Sequence, residues 1–353
     1  MAGPAMQFAT YHVFQCPPWQ DPARVMREEL ERALLSEQLG YDGIWVAEQH
    51  FAPYCLTGDA LLVAGVLASR TERVHVGTAV VNLTFTHPLR FAERVAILDH
   101  LTGGRMEVGV GRGYQFPQYG VFGVPIDETR PMFEEALDIV LRAWEPDELT
   151  YDGTYFKIPR VRIWPVPQRR PDQVLLHAVN SAESVGRSIE RGLPPLMARP
   201  ITPFADQLAE LRHYRRAVES AGLDADAFFA RATVLKYAFL APTRKEARTL
   251  PRAAFEWDLD VLQELTTPTT TEMPRGYEFY EGRGGRLPPF VYDEWLEARL
   301  LFDDPDGCAE KVAALRDAGV RRLLLWMGVG GVDHDLVVQS MRLFAEQVMP
   351  QFR

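Results

Sequence analysis

The strongest constraint on this chain is an alternation. Eight short stretches rich in apolar, β-branched and aromatic residues lie at 6–14, 43–47, 74–81, 105–111, 174–179, 195–198, 231–240 and 322–327. Between them run stretches with helical periodicity. In 22–39, for example, Val25, Leu30, Ala33, Leu34 and Leu39 recur at helical spacing, and Gly40 follows where a terminating glycine belongs. Further helices read at 60–69, 88–101, 127–144, 181–191, 204–221, 243–265, 305–318 and 334–348. Parallel strands need a crossover a dozen or more residues long, whereas hairpins need only a tight turn. The alternation therefore predicts a parallel sheet with right-handed crossovers. Eight such units in 353 residues, 47% of them apolar, predict a (β/α)8 barrel forming a single domain over 1–353.

Two stretches break the rhythm. Residues 151–167 set Tyr, Phe, Ile, Val and Trp around Asp152-Gly153 among several prolines, which predicts a β-hairpin inserted outside the barrel. Residues 266–289 lack periodicity and are dense in Thr, Pro and Gly. A structureless loop of that length in a compact domain, here following strand seven, predicts a lid or a disordered segment. Arg275, Arg283 and Arg286 could anchor it over an anionic ligand.

The formal net charge of −10 opposes a nucleic-acid partner, which requires a basic footprint, and no Lys or Arg run supplies one. Cys16, Cys55 and Cys308 are too few and too scattered for a disulfide framework or a metal-spaced pair. Residues 1–6 carry no basic or apolar signal region, and no apolar run nears membrane-spanning length. The expectation is a soluble cytoplasmic protein with no metal site. No G-x-S-x-G elbow is present, which opposes a serine hydrolase.

In a parallel barrel the chemistry sits at the C-terminal ends of the strands. The second strand ends in Glu48-Gln49-His50, an acid, an amide and an imidazole. The fourth ends in Gly109-Val110-Gly111-Arg112-Gly113, whose glycines admit a close ligand and whose arginine suits an anion. Asn180-Ser181 precedes the fifth helix, where free backbone amides favour phosphate. Gly328 to Gly331, after the eighth strand, is a competing phosphate site. Composition does not choose between them.

Five stretches taken together resemble the bacterial luciferase-like, flavin-dependent monooxygenase family. They are 41–51 (YDGIWVAEQHF), 76–90 (VGTAVVNLTFTHPLR), 103–113 (GGRMEVGVGRG), 178–184 (AVNSAES) and 340–350 (SMRLFAEQVMP). They occur in register at strand ends over nearly the whole chain and are most similar to the luciferase α-subunit branch. The resemblance implies a (β/α)8 barrel that binds reduced FMN at its C-terminal face and forms a flavin hydroperoxide with dioxygen. It implies a separate flavin reductase as source of reduced FMN, and a homodimer. Carried over by position, Glu48 and His50 lie near the flavin, with His50 as proton donor or acceptor. Ala79-Val80 falls where the family often has a non-prolyl cis peptide under the ring. Arg112 pairs with the phosphate, helped by Asn180, Ser181 and Ser184, with Val179 also at the cofactor, which favours the fourth and fifth strand ends over Gly328 to Gly331.

One departure matters. The luciferase pattern has two histidines after the glutamate; here the first is Gln49, which cannot serve as a general base near neutral pH. Emission of light from long-chain aldehydes is thereby disfavoured. Phe14, Trp19, Phe51, Tyr114 and the lid are the expected lining of an apolar substrate pocket. Two other readings stand beside the monooxygenase. One is a deazaflavin-dependent dehydrogenase of the same superfamily, and the other a noncatalytic partner subunit similar to the luciferase β chain.

Overall fold

The computed structural model describes residues 5–267 and 291–353. In chain order its strands are β1 (Gln7–His12), β2 (Gly43–Val46), β3 (His75–Asn82), β4 (Met106–Gly111), β5 (Leu149–Asp152) and β6 (Lys157–Val161). They continue with β7 (Leu175–Ala178), β8 (Pro195–Met197), β9 (Thr233–Leu240), β10 (Leu301–Asp303) and β11 (Arg322–Trp326). The α-helices are α1 (Pro22–Gln38), α2 (Ala60–Ala68), α3 (Pro88–Leu101), α4 (Phe116–Phe122), α5 (Thr129–Ala143), α6 (Pro171–Val174) and α7 (Ala182–Glu190). After them come α8 (Phe204–Ser220), α9 (Ala225–Phe229), α10 (Arg244–Thr249), α11 (Arg252–Thr266), α12 (Tyr292–Arg299), α13 (Pro305–Asp317) and α14 (His334–Leu343).

Among the described residues, eight parallel strands close into a barrel in the order β1-β2-β3-β4-β7-β8-β9-β11, with β11 back on β1. This is the (β/α)8 architecture that the alternation predicts. Local chemistry sets the helix starts. Asp21, Asp59, Ser181 and Asp304 cap α1, α2, α7 and α13 with side-chain oxygens. Pro22, Pro88 and Pro305 occupy first-turn positions, where a missing N–H costs nothing. β5 and β6 pair antiparallel as a two-stranded sheet apart from the barrel.

The lower half of the barrel is filled. Trp45 is fully buried, and a Cβ on Gly77 would lie 2.4 Å from its ring, so the glycine makes room for the indole. Below it, buried Glu107 accepts from Arg231 Nη2 at 2.7 Å and from Arg322. These paired charges lie at the N-terminal end of the barrel, away from the strand ends that face the cavity described below.

Some details depart from the sequence reading. The helix expected over 243–265 is two, because Pro251 removes a backbone donor and its ring crowds the preceding turn. α4, α6, α9, α12 and β10 are additions; β10 extends the sheet along the end of β9, with Leu301 opposite Ala238. They are too short to show a period. Of the expected lid, residues from 268 onward lie outside the described residues, as do Arg275, Arg283 and Arg286.

Candidate active site

At the C-terminal face opens a cavity of about 440 Å³, within the size range of small-molecule sites. One end is cationic. Arg112 from the end of β4, Arg130 from α5 and Arg187 from α7 all line it. Arg187 pairs with Glu134 at 2.7 Å and Glu183 at 2.6 Å, and Arg130 also reaches Glu183. The start of α7 joins them. Ser181 Oγ accepts from Ser184 N at 3.3 Å, while Ser184 Oγ accepts from Asn180 N and Ser181 N, each at 3.1 Å. Nearby His177, stacked on Phe133, has its imidazole pushed down to about 3, first by burial and then by Arg191 and Arg187. A neutral imidazole among arginines is what a positive local potential produces.

The wall beside this end is backbone and small side chains. Ala79, Val80, Gly111 and Val179 line it, and the Ala79-Val80 peptide bond is cis. A Cβ on Gly111 would meet Val80 Cγ2 at 2.9 Å, so that glycine lets β4 pass close under the segment. Tyr11 donates to the Ala79 carbonyl at 2.6 Å.

The floor is aromatic. Tyr11, Tyr54, Tyr114, Tyr237 and Trp326 line it, with Tyr237 stacked on Trp326 at 4.5 Å between centroids. Burial raises all four phenol pKa values, Tyr114 to about 12, so each keeps its proton at neutral pH. Behind Tyr237 lies Asp258, a fully buried carboxyl that accepts from Tyr237 Oη at 2.6 Å and Gln15 Nε2 at 2.5 Å. Burial pushes it up to about 6.

Every position expected at the cofactor lines this one cavity: Ala79, Val80, Arg112, Val179, Asn180, Ser181 and Ser184. Glu48 and His50 stand behind its wall instead. The Glu48 carboxylate is captured by the backbone amides of Asn82 at 2.8 Å and Ala60 at 3.3 Å. His50 packs among Phe51, Phe85 and Phe122, with Nε2 3.9 Å from Glu48 Oε1. Gln49, between them, is the residue of the three that lines the cavity. Of the four residues proposed for an apolar pocket, Tyr114 lines it. Phe14 is buried in the barrel–helix core, while Trp19 and Phe51 are 61% and 63% exposed. Among the described residues, no cluster of three or more His, Cys, Asp or Glu could hold a metal. No described helix is long and apolar enough to cross a membrane.

Residues 6–322 match the family model described as luciferase-like monooxygenase. The chain belongs to that family. Curated relatives agree. It is 36% identical over 188 residues to the uncharacterised protein y4vJ of Sinorhizobium fredii, spanning 53% of this chain and 54% of that one. To the alkanal monooxygenase alpha chain of Photobacterium leiognathi it is 24% identical over 353 residues, covering 96% of both. Three solved structures share the fold. Monooxygenase RslO1 from Streptomyces bottropensis has a TM-score of 0.83 at 24% identity, covering 99% of this chain and 100% of that one. The oxygenating constituent of 3,6-diketocamphane monooxygenase from Pseudomonas putida, solved with FMN, scores 0.79 at 18%, covering 99% and 100%. An F420-dependent secondary alcohol dehydrogenase scores 0.74 at 18%, covering 99% of each chain.

This luciferase-like monooxygenase is a flavin-dependent oxidoreductase by family. Sequence reasoning missed several of its cavity residues. Arg187 could have been found, since it lies one helical turn beyond Ser184 on α7. Arg130 and Tyr237 carried no local signal, because each reaches the cavity from an element away from the five stretches, and Tyr54 comes just past the end of the 41–51 stretch.

Proposed function

We propose that this protein uses reduced FMN, supplied by a separate flavin reductase, and dioxygen to oxygenate a small, largely apolar organic substrate. One observation carries the reading: all seven residues expected at the cofactor line a single cavity that is cationic at one end and aromatic at the other. The residues fit the group. A phosphate suits Arg112, Arg130 and Arg187 beside the amides and hydroxyls that open α7. A planar ring suits the thin wall of Ala79, Val80 and Val179. When bound, the reduced flavin supplies electrons to dioxygen, a chemistry that belongs to the cofactor.

The chain's own share is to bind, orient and exclude water. The arginine end holds the anion, and the filled lower barrel bars solvent from beneath. The phenols keep their protons: Tyr11 gives its own to the Ala79 carbonyl, while Tyr54 and Tyr114 serve as donors or docking points at the floor. Glu48 and His50 act indirectly in this reading: Glu48 ties the ends of β2 and β3 together, and His50 anchors the loop that presents Gln49.

The test is stopped-flow absorbance after mixing the protein with photoreduced FMN and then oxygenated buffer. Reoxidation kinetics distinct from those of free FMN are expected, together with flavin affinity that weakens in Arg112→Ala. Absence of FMN binding would overturn the proposal. The resemblance to an F420-dependent dehydrogenase favours one second reading, hydride transfer with a deazaflavin. Oxygen consumption during turnover separates the two.

A homodimer belongs to the same proposal. α2, ALLVAGVLA, is apolar on every side, and such helices are normally covered. Yet Leu62 and Leu101 are 68% and 79% exposed, with Val66 and Ile97 exposed on the same two helices. α2 and α3 touch closely enough that a Cβ on Gly65 would sit 3.4 Å from Leu98. A second copy set against this pair of helices would cover the patch. The reducing cytoplasm is the proposed location, where the buried free thiols of Cys16, Cys55 and Cys308 would stay reduced.

A further inference from the structure

Glu48, Gln49 and His50, just beyond the end of β2, face three directions, and the middle one lines the cavity. Gln49 is held there by a row of buried amides. Its Oε1 accepts from Gln118 Nε2 at 2.8 Å. The same nitrogen donates to Gln115 Oε1 at 2.6 Å and lies 3.5 Å from the His50 carbonyl. Gln115, Gln118 and Gln49 are all buried, and Gln118 belongs to the short helix α4 packed over the site. The two hydrogens of the Gln118 NH2 go to the Gln49 and Gln115 oxygens, and the His50 carbonyl 3.5 Å away, which can only accept, sets the nitrogen rather than the oxygen of Gln118 on that side. The Gln49 NH2 is thereby the end left toward the cavity that Gln49 lines.

We propose that the Gln49 side-chain amide is a fixed hydrogen-bond donor to the oxygen on which negative charge develops during the reaction, and that Gln118 is the positioning residue that fixes it. The proposal rests on the reading of this cavity as a reduced-flavin site. A primary amide does not titrate, so it donates at any working pH, whereas an imidazole changes role between pH 5 and 8. A donor already aimed at developing charge, in a cavity above a filled lower barrel, needs no reorganisation as the charge forms. Removing one such donor slows reactions by about 10²–10³-fold in comparable sites. The departure from the two-histidine pattern is then a change of chemistry, from a titratable group to a permanent donor.

Two measurements test this on the full chain. The first uses protein labelled with ¹⁵N-glutamine and titrated with FMN. The Gln49 amide signals, assigned by their disappearance in Gln49→Leu, should shift on binding by more than those of Gln118. If fluorescence shows FMN bound at saturation and the Gln49 signals stay still, the amide does not face the ligand and the proposal fails. If FMN does not bind at all, the cofactor reading fails first, which is a separate outcome.

The second measurement follows reoxidation of the bound reduced flavin. Gln49→Leu should change its rate or the lifetime of its oxygen-dependent phase by about 10²-fold. In Gln118→Glu the introduced carboxylate can only accept, which turns the Gln49 amide around and should reproduce the loss. Gln49→His should restore part of the rate with a pH dependence that the parent lacks. Variants that lower the melting temperature but leave these kinetics unchanged would make the amide row purely structural and overturn the proposal.

Discussion

Replacing Asp258 by Asn should change the protein's stability with a sign that depends on pH. In the folded chain the carboxyl is buried, has no cation beside it, and titrates at about 6, against an ordinary 3.8. Because the folded value is the higher one, burial favours the protonated acid. At neutral pH, where both states are ionised, the folded state bears about 3 kcal/mol of penalty, from about 1.36 kcal/mol per pKa unit. That penalty fades as pH falls through 6 and is gone below 3.8. Asn has nearly the same shape and no charge. Gln15 Oε1 already accepts from Gly330 N at 2.6 Å, so Gln15 keeps its amide nitrogen toward residue 258 and pairs with the Asn oxygen. The Asn NH2 then faces Tyr237, whose hydroxyl can accept but loses its own acceptor, at a cost of about 1–3 kcal/mol. The net expectation is a gain of about 0–2 kcal/mol for Asp258→Asn at pH 8, and a loss of about 1 kcal/mol at pH 4. For a chain of this length that is a melting shift of up to about 3 °C in either direction, since unfolding entropy scales with residue number. Scanning calorimetry of both proteins at a fixed rate, from pH 4 to 8, reads it directly. A variant less stable than the parent at pH 8 would refute the reasoning, because it would mean that the paired carboxylate outweighs its burial.

Other perturbations have equally definite signs. Glu107 is the opposite case: Arg322 and Arg231 hold its carboxyl at about 2 despite burial, so its stabilisation is present above 4.5 and lost as pH falls toward 2. Glu107→Gln should destabilise by about 3 kcal/mol at pH 7, with the difference from the parent shrinking below pH 4.5 in urea titrations. Gly109→Ala would place a Cβ 2.5 Å from both Leu196 Cδ2 and the Thr78 carbonyl, and should lower stability by about 1–3 kcal/mol. Gly186→Ala, on α7 with nothing within 4 Å, is its control and should be neutral or stabilising by up to about 1 kcal/mol in the same thermal melts. Leu62→Glu should leave the melting curve of the isolated subunit intact but turn the proposed dimer into monomer in light scattering; an unchanged mass would remove α2 from the interface.

The sequence alone carried the architecture, and the reason is periodicity. Apolar strands, helical stripes, capping Asp and Ser residues and first-turn prolines are all local, and eight repeats of one unit leave a parallel barrel as the natural closure. It also carried the face on which a site would lie, since in a parallel barrel every strand ends at the same face and strand ends can be read locally. Arg112 and Ser181 stood out by that rule beside Gly328 to Gly331, whereas Ala79, Val80 and the choice between the two ends came from the family resemblance. Periodicity stops at the last paired residue of a strand. Beyond Val46, nothing local says which of Glu48, Gln49 and His50 turns toward the cavity. The amides of Asn82 and Ala60 take Glu48, the rings of Phe85 and Phe122 take His50, and Gln118 takes Gln49. Likewise Asp258 meets Gln15 across 243 positions of chain, a pairing that no local pattern encodes. What tertiary structure alone decided is the direction in which each polar group points. Hydrogen bonds are short and directional, and a side chain past a strand end turns toward whichever partner the rest of the fold brings within reach.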